Sequence, residues 1–140
     1  MKKRTRKDSL SAGERINTMD QFEMTSEQLP SLKEASPEEL AHAIAEVLDS
    51  KKGHDIKVLH VADKTVIADY FVICSGNTST QVKALAGEVE YRMEMRDVKP
   101  YGVEGRDNGA WAIVDYSHVI VHIFSRDARE FYKLDKLYAD

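Results

Sequence analysis

The chain has 140 residues, 42% of them apolar and 31% charged, which fits one water-soluble domain with some chain to spare. Its apolar runs are too short for a membrane-spanning helix, no apolar stretch follows the basic N-terminus to make a secretory signal, and the single cysteine, Cys74, excludes an internal disulfide and suits a reducing cytoplasm. Residues 1–35 carry seven Lys/Arg and six Asp/Glu, leaving thirteen basic and eighteen acidic side chains in 36–140, a balance that repels nucleic-acid phosphate and suits a basic protein surface.

Residues 1–35 are expected to form a disordered basic and polar tail, because no apolar period is sustained there. Its cluster Lys2, Lys3, Arg4, Arg6 and Lys7 is read as solvated chain in preference to an RNA contact. A short helix over Thr25–Leu32 has only Met24, Leu29 and Leu32 as anchors.

The domain is placed at 36–140. Ser36-Pro37-Glu38-Glu39 is a helix start: a capping serine, a proline at the first helical position and acids in the first turn. Leu40, Ala43, Ile44, Val47 and Leu48 follow at helical spacing, and Gly53 is read as the C-terminal cap. A strand is predicted over Asp55–Val61 and another over Ile67–Cys74, whose unbroken apolar run suits a central strand covered on both faces. Thr78 and Gln81 fit a capping box for a second helix carrying Val82, Leu85, Ala86, Val89 and Met93, with Gly87 as a weak point inside it. Three short strands are expected near Val98–Val103, Ala110–Asp115 and Val119–Phe124, the last two joined through Tyr116-Ser117-His118. A final amphipathic helix from about Arg126 carries Phe131, Tyr132, Leu134 and Leu137. The order is that of an α/β fold with a mixed five-stranded sheet flanked by helices.

Catalytic chemistry finds little support. Ser75-Gly76-Asn77-Thr78 lacks the lysine and the spaced glycines of phosphate-binding loops. A metal-dependent transferase needs carboxylates aimed at one place, yet two residues beyond Asp69 stands Phe71, and two beyond Asp115 stands Ser117. His118 and His122 are roughly 13 Å apart along an extended strand, too far to grip one metal ion. His122, between Val121 and Ile123, reads as a hydrogen-bonded core or interface histidine, and Cys74 as a small packing residue. The aromatic and acidic residues of the last hairpin remain. Trp111 is balanced between core and interface, while Tyr116, at a turn beside Asp115, is expected to be exposed and available for binding.

Asp69-Tyr70-Phe71-Val72-Ile73-Cys74-Ser75-Gly76-Asn77 with Gln81-Val82 resembles the central signature of the ribosome-silencing factors, also called Iojap proteins. Val103-Glu104-Gly105, Trp111, Asp115-Tyr116, Val119 to Phe124 and Arg129 to Leu134 follow in that family's order. The resemblance implies a nucleotidyltransferase-like fold without the catalytic carboxylates, no cofactor, and no enzymatic activity. It implies a translational repressor that binds the large ribosomal subunit through ribosomal protein uL-fourteen and blocks joining of the small subunit under nutrient limitation. A tendency to homodimerise also belongs to the resemblance. Large-subunit assembly, as in mitochondrial relatives, is the alternative role, and a metal-dependent nucleotidyltransferase-like enzyme a more distant one. Carried over by position, Trp111, Asp115 and Tyr116 become the candidate contacts, with Glu104 and His122 in support. Ser117 and His118 depart from the family's Asp-Tyr-Gly-Asp hairpin, and a left-handed backbone at Ser117 would cost roughly 1 kcal/mol relative to glycine. Tyr138 stands where the family usually has tryptophan.

Overall fold

A computed structural model describes residues 29–139, and the elements below all lie in the unit Ser31–Asp140. Helix α1 spans Pro37–Ser50. Its start is a reciprocal box in which Glu39 N donates to Ser36 Oγ at 3.1 Å and Ser36 N donates to Glu39 Oε1 at 2.9 Å. Such a cap is worth about 1 kcal/mol. Leu32, read from sequence as tail, is partly buried against the core, and its amide donates to the Arg96 carbonyl at 2.8 Å. The basic cluster at the N-terminus and the first half of the Thr25–Leu32 segment lie outside the described residues; Leu29–Leu32 is not helical.

The end of α1 corrects one expectation. The left-handed residue is Lys52, with φ 64°, and not Gly53. Gly53 N donates to the Leu48 carbonyl at 2.9 Å, closing the helix. Glycine is needed there for another reason: a Cβ would collide with Cys74 Sγ and come within 3.1 Å of the Leu48 carbonyl oxygen.

Strands β1 (His54–His60), β2 (Tyr70–Gly76), β3 (Gly102–Glu104), β4 (Trp111–Asp115) and β5 (Val119–Ser125) form a sheet in the order β1-β2-β5-β4-β3. Only β2 and β5 are parallel, pairing from Tyr70 opposite Val119 to Gly76 opposite Ser125. A register shift between His54 and Lys57 in β1 coincides with φ 48° at Asp55. β2 begins later than predicted. Val66 and Ile67 project into solvent from the preceding loop, because the ladder to β1 opens only at Tyr70.

Helix α2 covers Ser79–Glu94. Thr78 Oγ1 accepts from Gln81 N at 3.0 Å, but Gln81 Oε1 accepts from Asn77 N, so the expected reciprocal box is displaced one residue outward. Met93 completes its buried stripe, and Val98 N returns to the Met93 carbonyl at 2.9 Å. β3 is accordingly shorter than the predicted Val98–Val103. The expected last helix is two: α3 (Arg126–Tyr132) and α4 (Leu134–Leu137), separated by Lys133 at φ 51°.

The sheet divides the core. Helices α1 and α2 bury Ile44, Leu48, Val82, Leu85 and Val89 against Val72, Val114, Val121 and Ile123. The opposite face packs Phe71, Ile73, Ile120 and Phe124 under Ala128, Leu134 and Tyr138. Asp135 of α4 clamps this second cover. It accepts from Lys57 Nζ at 3.2 Å and from Arg129 Nε at 3.3 Å, while Arg129 Nη1 donates to Ser75 Oγ at 2.7 Å. Burial raises the Asp135 pKa, but the Arg129 and Lys57 contacts outweigh it and hold the carboxyl below its ordinary range.

Two glycine-to-alanine changes should therefore have opposite signs. Gly87, with no atom near its missing Cβ, should stabilise the fold by about 0.5–1 kcal/mol when replaced by alanine. Gly53→Ala should destabilise it by about 1–3 kcal/mol through the clash with Cys74. Urea unfolding of both variants measures the contrast.

Candidate functional site

The second face of the sheet is only partly covered. Among the described residues, α3 and α4 lie over β2 and β5, and none covers the β4–β3 side. Strand alternation decides which residues reach it. Across the strands, Glu104, Ile113, His122, Ile73 and Lys57 form one row, and Trp111 stands beside Phe124 in the next. Asp115, opposite Ile120, has the same parity. The fold thus brings together four of the residues proposed from sequence: Trp111, Asp115, Glu104 and His122.

Trp111 is neither free nor fully buried. Its Nε1–H donates to His122 Nδ1 at 3.1 Å. Its ring lies 4.9 Å from Phe124 and 4.6 Å from Tyr132, centroid to centroid. These contacts fix the indole while leaving part of it accessible. Offset ring pairs of this kind add about 0.5–1.5 kcal/mol beyond area burial.

His122 is 7% exposed and meets the edge of Phe71 with ring centroids 4.7 Å apart. Burial among rings pushes its pKa down to about 4. Accepting at Nδ1 places the ring proton on Nε2, which has no hydrogen-bond partner among the described residues. The imidazole is therefore a fixed neutral acceptor and not a proton shuttle.

Glu104 is exposed on the edge strand. Asp115 Oδ1 accepts from Ser117 N at 2.7 Å, which shapes the hairpin. Ser117 takes φ 74°, the strained backbone anticipated from its replacement of glycine.

Tyr116 corrects the sequence reading. It is 5% exposed and belongs to the helix-covered core, because it continues the parity of Ala112 and Val114. Its position at a turn yielded to strand alternation. Burial, with Glu90 and Glu94 adding to it, raises its pKa, and its hydroxyl finds no hydrogen-bond partner among the described residues.

Residues missed from sequence complete the open surface. Ile113 is half-buried on it, and Tyr132 is 50% exposed at its border. Phe131, 79% exposed, packs edge-on to Tyr132 at 5.0 Å. Of the apolar residues expected on one final helix, Leu134 packs on the core, while Phe131 and Leu137 are exposed. The alternation of Trp111, Ile113 and Asp115 was the signal that would have found Ile113.

Among the described residues, no group of three or more His, Cys, Asp or Glu side chains is placed to hold a metal ion. No helix among them is long and apolar enough to cross a membrane.

Residues 33–140 match the family model described as "Ribosomal silencing factor during starvation". The chain is 40% identical over 100 residues to the ribosomal silencing factor RsfS of Haemophilus influenzae, covering 71% of this chain and 98% of that one. It is 38% identical over 96 residues to RsfS of Bacillus subtilis, covering 69% and 81% respectively. A crystal structure of a Chromobacterium violaceum protein is similar at a TM-score of 0.71 and 30% identity, over 74% of this chain and 86% of that one.

Two measurements check the site. The native state holds His122 neutral, so its contribution is complete above the unfolded value near 6.5 and is lost as pH falls toward about 4. That loss should reach about 3 kcal/mol and be absent in His122→Phe, compared by urea unfolding at stepped pH. Tyr116→Phe should leave stability unchanged or raise it by up to about 2 kcal/mol, since the deleted hydroxyl is buried without a partner.

Proposed function

Because the chain belongs to the family of ribosomal silencing factors, we propose that it represses translation in the cytoplasm by docking its open sheet face on the large ribosomal subunit. The contact we infer is ribosomal protein uL-fourteen, at a place where the bound protein keeps the small subunit from joining, with nutrient limitation as the occasion. The observation that carries this reading is the half-open indole of Trp111, held by His122 and Tyr132 on a surface that also presents Glu104 and Asp115.

A pre-positioned tryptophan loses little rotamer freedom on binding and buries a large area, which is why such residues dominate interfaces. The surrounding carboxylates complement a Lys/Arg-rich ribosomal protein, and the acidic excess of residues 36–140 favours encounter with a basic surface over bare phosphate. No step of this role needs bond chemistry, so we read the protein as a non-enzyme. Its mode of action is steric.

Co-sedimentation with isolated subunits at near-physiological salt tests the proposal. The protein should travel with the large subunit and be excluded from joined ribosomes. Trp111→Ala, still folded by circular dichroism, should weaken the association by about thirtyfold or more, the effect of a 2 kcal/mol hot spot. Recovery with neither subunit, or an association unchanged by Trp111→Ala, would overturn it.

A further inference from the structure

β2 and β5 are neighbouring parallel strands, yet their following helices leave to opposite faces. α2 joins α1 on one side, and α3 packs through Ala128 on the other. Divergence of this kind opens a crevice beyond the carboxyl ends of the two strands, the position where open α/β sheets bind ligands. A cleft of about 360 Å³ lies there, lined by His54, Asp55, Ser75, Arg126, Arg129 and Glu130. That volume falls in the lower part of the range of roughly 300–1,000 Å³ used by small-molecule sites.

The lining sorts into committed and uncommitted groups. Arg129 is held by Ser75 and Asp135, and Glu130 pairs with Lys133 at 3.6 Å. Among the described residues, neither the Arg126 guanidinium nor the Asp55 carboxylate has a hydrogen bond or ion pair. Ser75 is 3% exposed; its oxygen accepts from Arg129, and its own hydroxyl proton has no acceptor among the described residues. Asn77 Nδ2 meets His54 Nε2 at 2.9 Å, which leaves the imidazole proton on Nδ1 as another donor. Among the described residues, one cation and one carboxylate without partners and two uncommitted donors therefore line one cleft.

We propose that this cleft binds a small phosphorylated polyol, of the size and chemistry of a sugar phosphate. A phosphate offers several acceptor oxygens to Arg126 and the Ser75 hydroxyl, and guanidinium is suited to oxyanions. Asp55 then accepts from the ligand's hydroxyls. The same carboxylate repels a bare anion, so the polyol half is required for affinity. This site is separate from the open face that carries Trp111, and stands whether or not that face docks on the ribosome.

The test is a titration of the full chain, followed by amide ¹H–¹⁵N shifts, with ribose 5-phosphate, inorganic phosphate and ribose. Ribose 5-phosphate should saturate at a Kd of about 0.1–1 mM, with shifts confined to residues 54–55, 75–77 and 126–130. Inorganic phosphate should bind about tenfold more weakly or worse, and Arg126→Ala should weaken both by about tenfold. Asp55→Gly, which suits the left-handed backbone at that position, should weaken ribose 5-phosphate alone. Shifts that never saturate, that scatter over surface lysines, or that survive Arg126→Ala unchanged would overturn the site. Equal affinity for phosphate and ribose 5-phosphate, or indifference to Asp55→Gly, would overturn the assignment of a polyol ligand.

Discussion

The parallel pairing of β2 with β5 is the constraint on which the other features rest. Both strands are buried on both faces, so both must be covered by helices, and both read as unbroken apolar runs. The antiparallel strands β1, β4 and β3 extend this pair outward. One face receives two long helices whose apolar stripes match it. Among the described residues the other receives only α3 and α4, eleven helical residues in total, which cannot span five strands. An uncovered area on the β4–β3 side follows directly.

That shortage is itself built by specific residues. Lys133 adopts a left-handed backbone, stops α3 and turns the chain so that Leu134 and Tyr138 fall back on the sheet. Asp135 then holds the turn through Lys57 and Arg129, an arrangement only 10% exposed at the carboxylate. Continuing α3 as one helix would carry Asp135 away and remove this clamp. Two buried polar atoms, Tyr116 Oη and His122 Nε2, lack hydrogen-bond partners among the described residues, each a cost of about 1–3 kcal/mol. For His122 the compensation is visible: its other nitrogen orients the indole. For Tyr116 the structure offers packing area alone.

Local signals in the sequence carried most of the fold. Ser36-Pro37-Glu38-Glu39 specifies the start of α1 through bonds within one turn, and the run from Tyr70 to Cys74 announces a central strand. The family motifs agree with the observed sheet and with the relatives that the chain matches. What escaped depends on distant contacts. Tyr116 looked like a turn residue because its burial comes from α2, some twenty positions away in sequence. The role of Gly53 is set by Cys74, and the start of β2 by where β1 can pair. The split at Lys133 has no glycine or proline to advertise it; tertiary packing of Leu134 and Tyr138 enforces a conformation that lysine disfavours. The site was half legible. Trp111, Asp115, Glu104 and His122 do share a face, while Ile113, Phe131 and Tyr132 needed the sheet and the broken helix to be seen.

The central claim is that the open face around Trp111 is what touches the large subunit. A photo-cross-linking amino acid placed at Glu104, on that face and exposed, tests it most directly against the same probe at Val66, exposed on the loop before β2. With purified large subunits, position 104 should give one dominant adduct, to ribosomal protein uL-fourteen, and position 66 should give none to it. Adducts from position 66 alone, or from position 104 to a different ribosomal component, would contradict the claim.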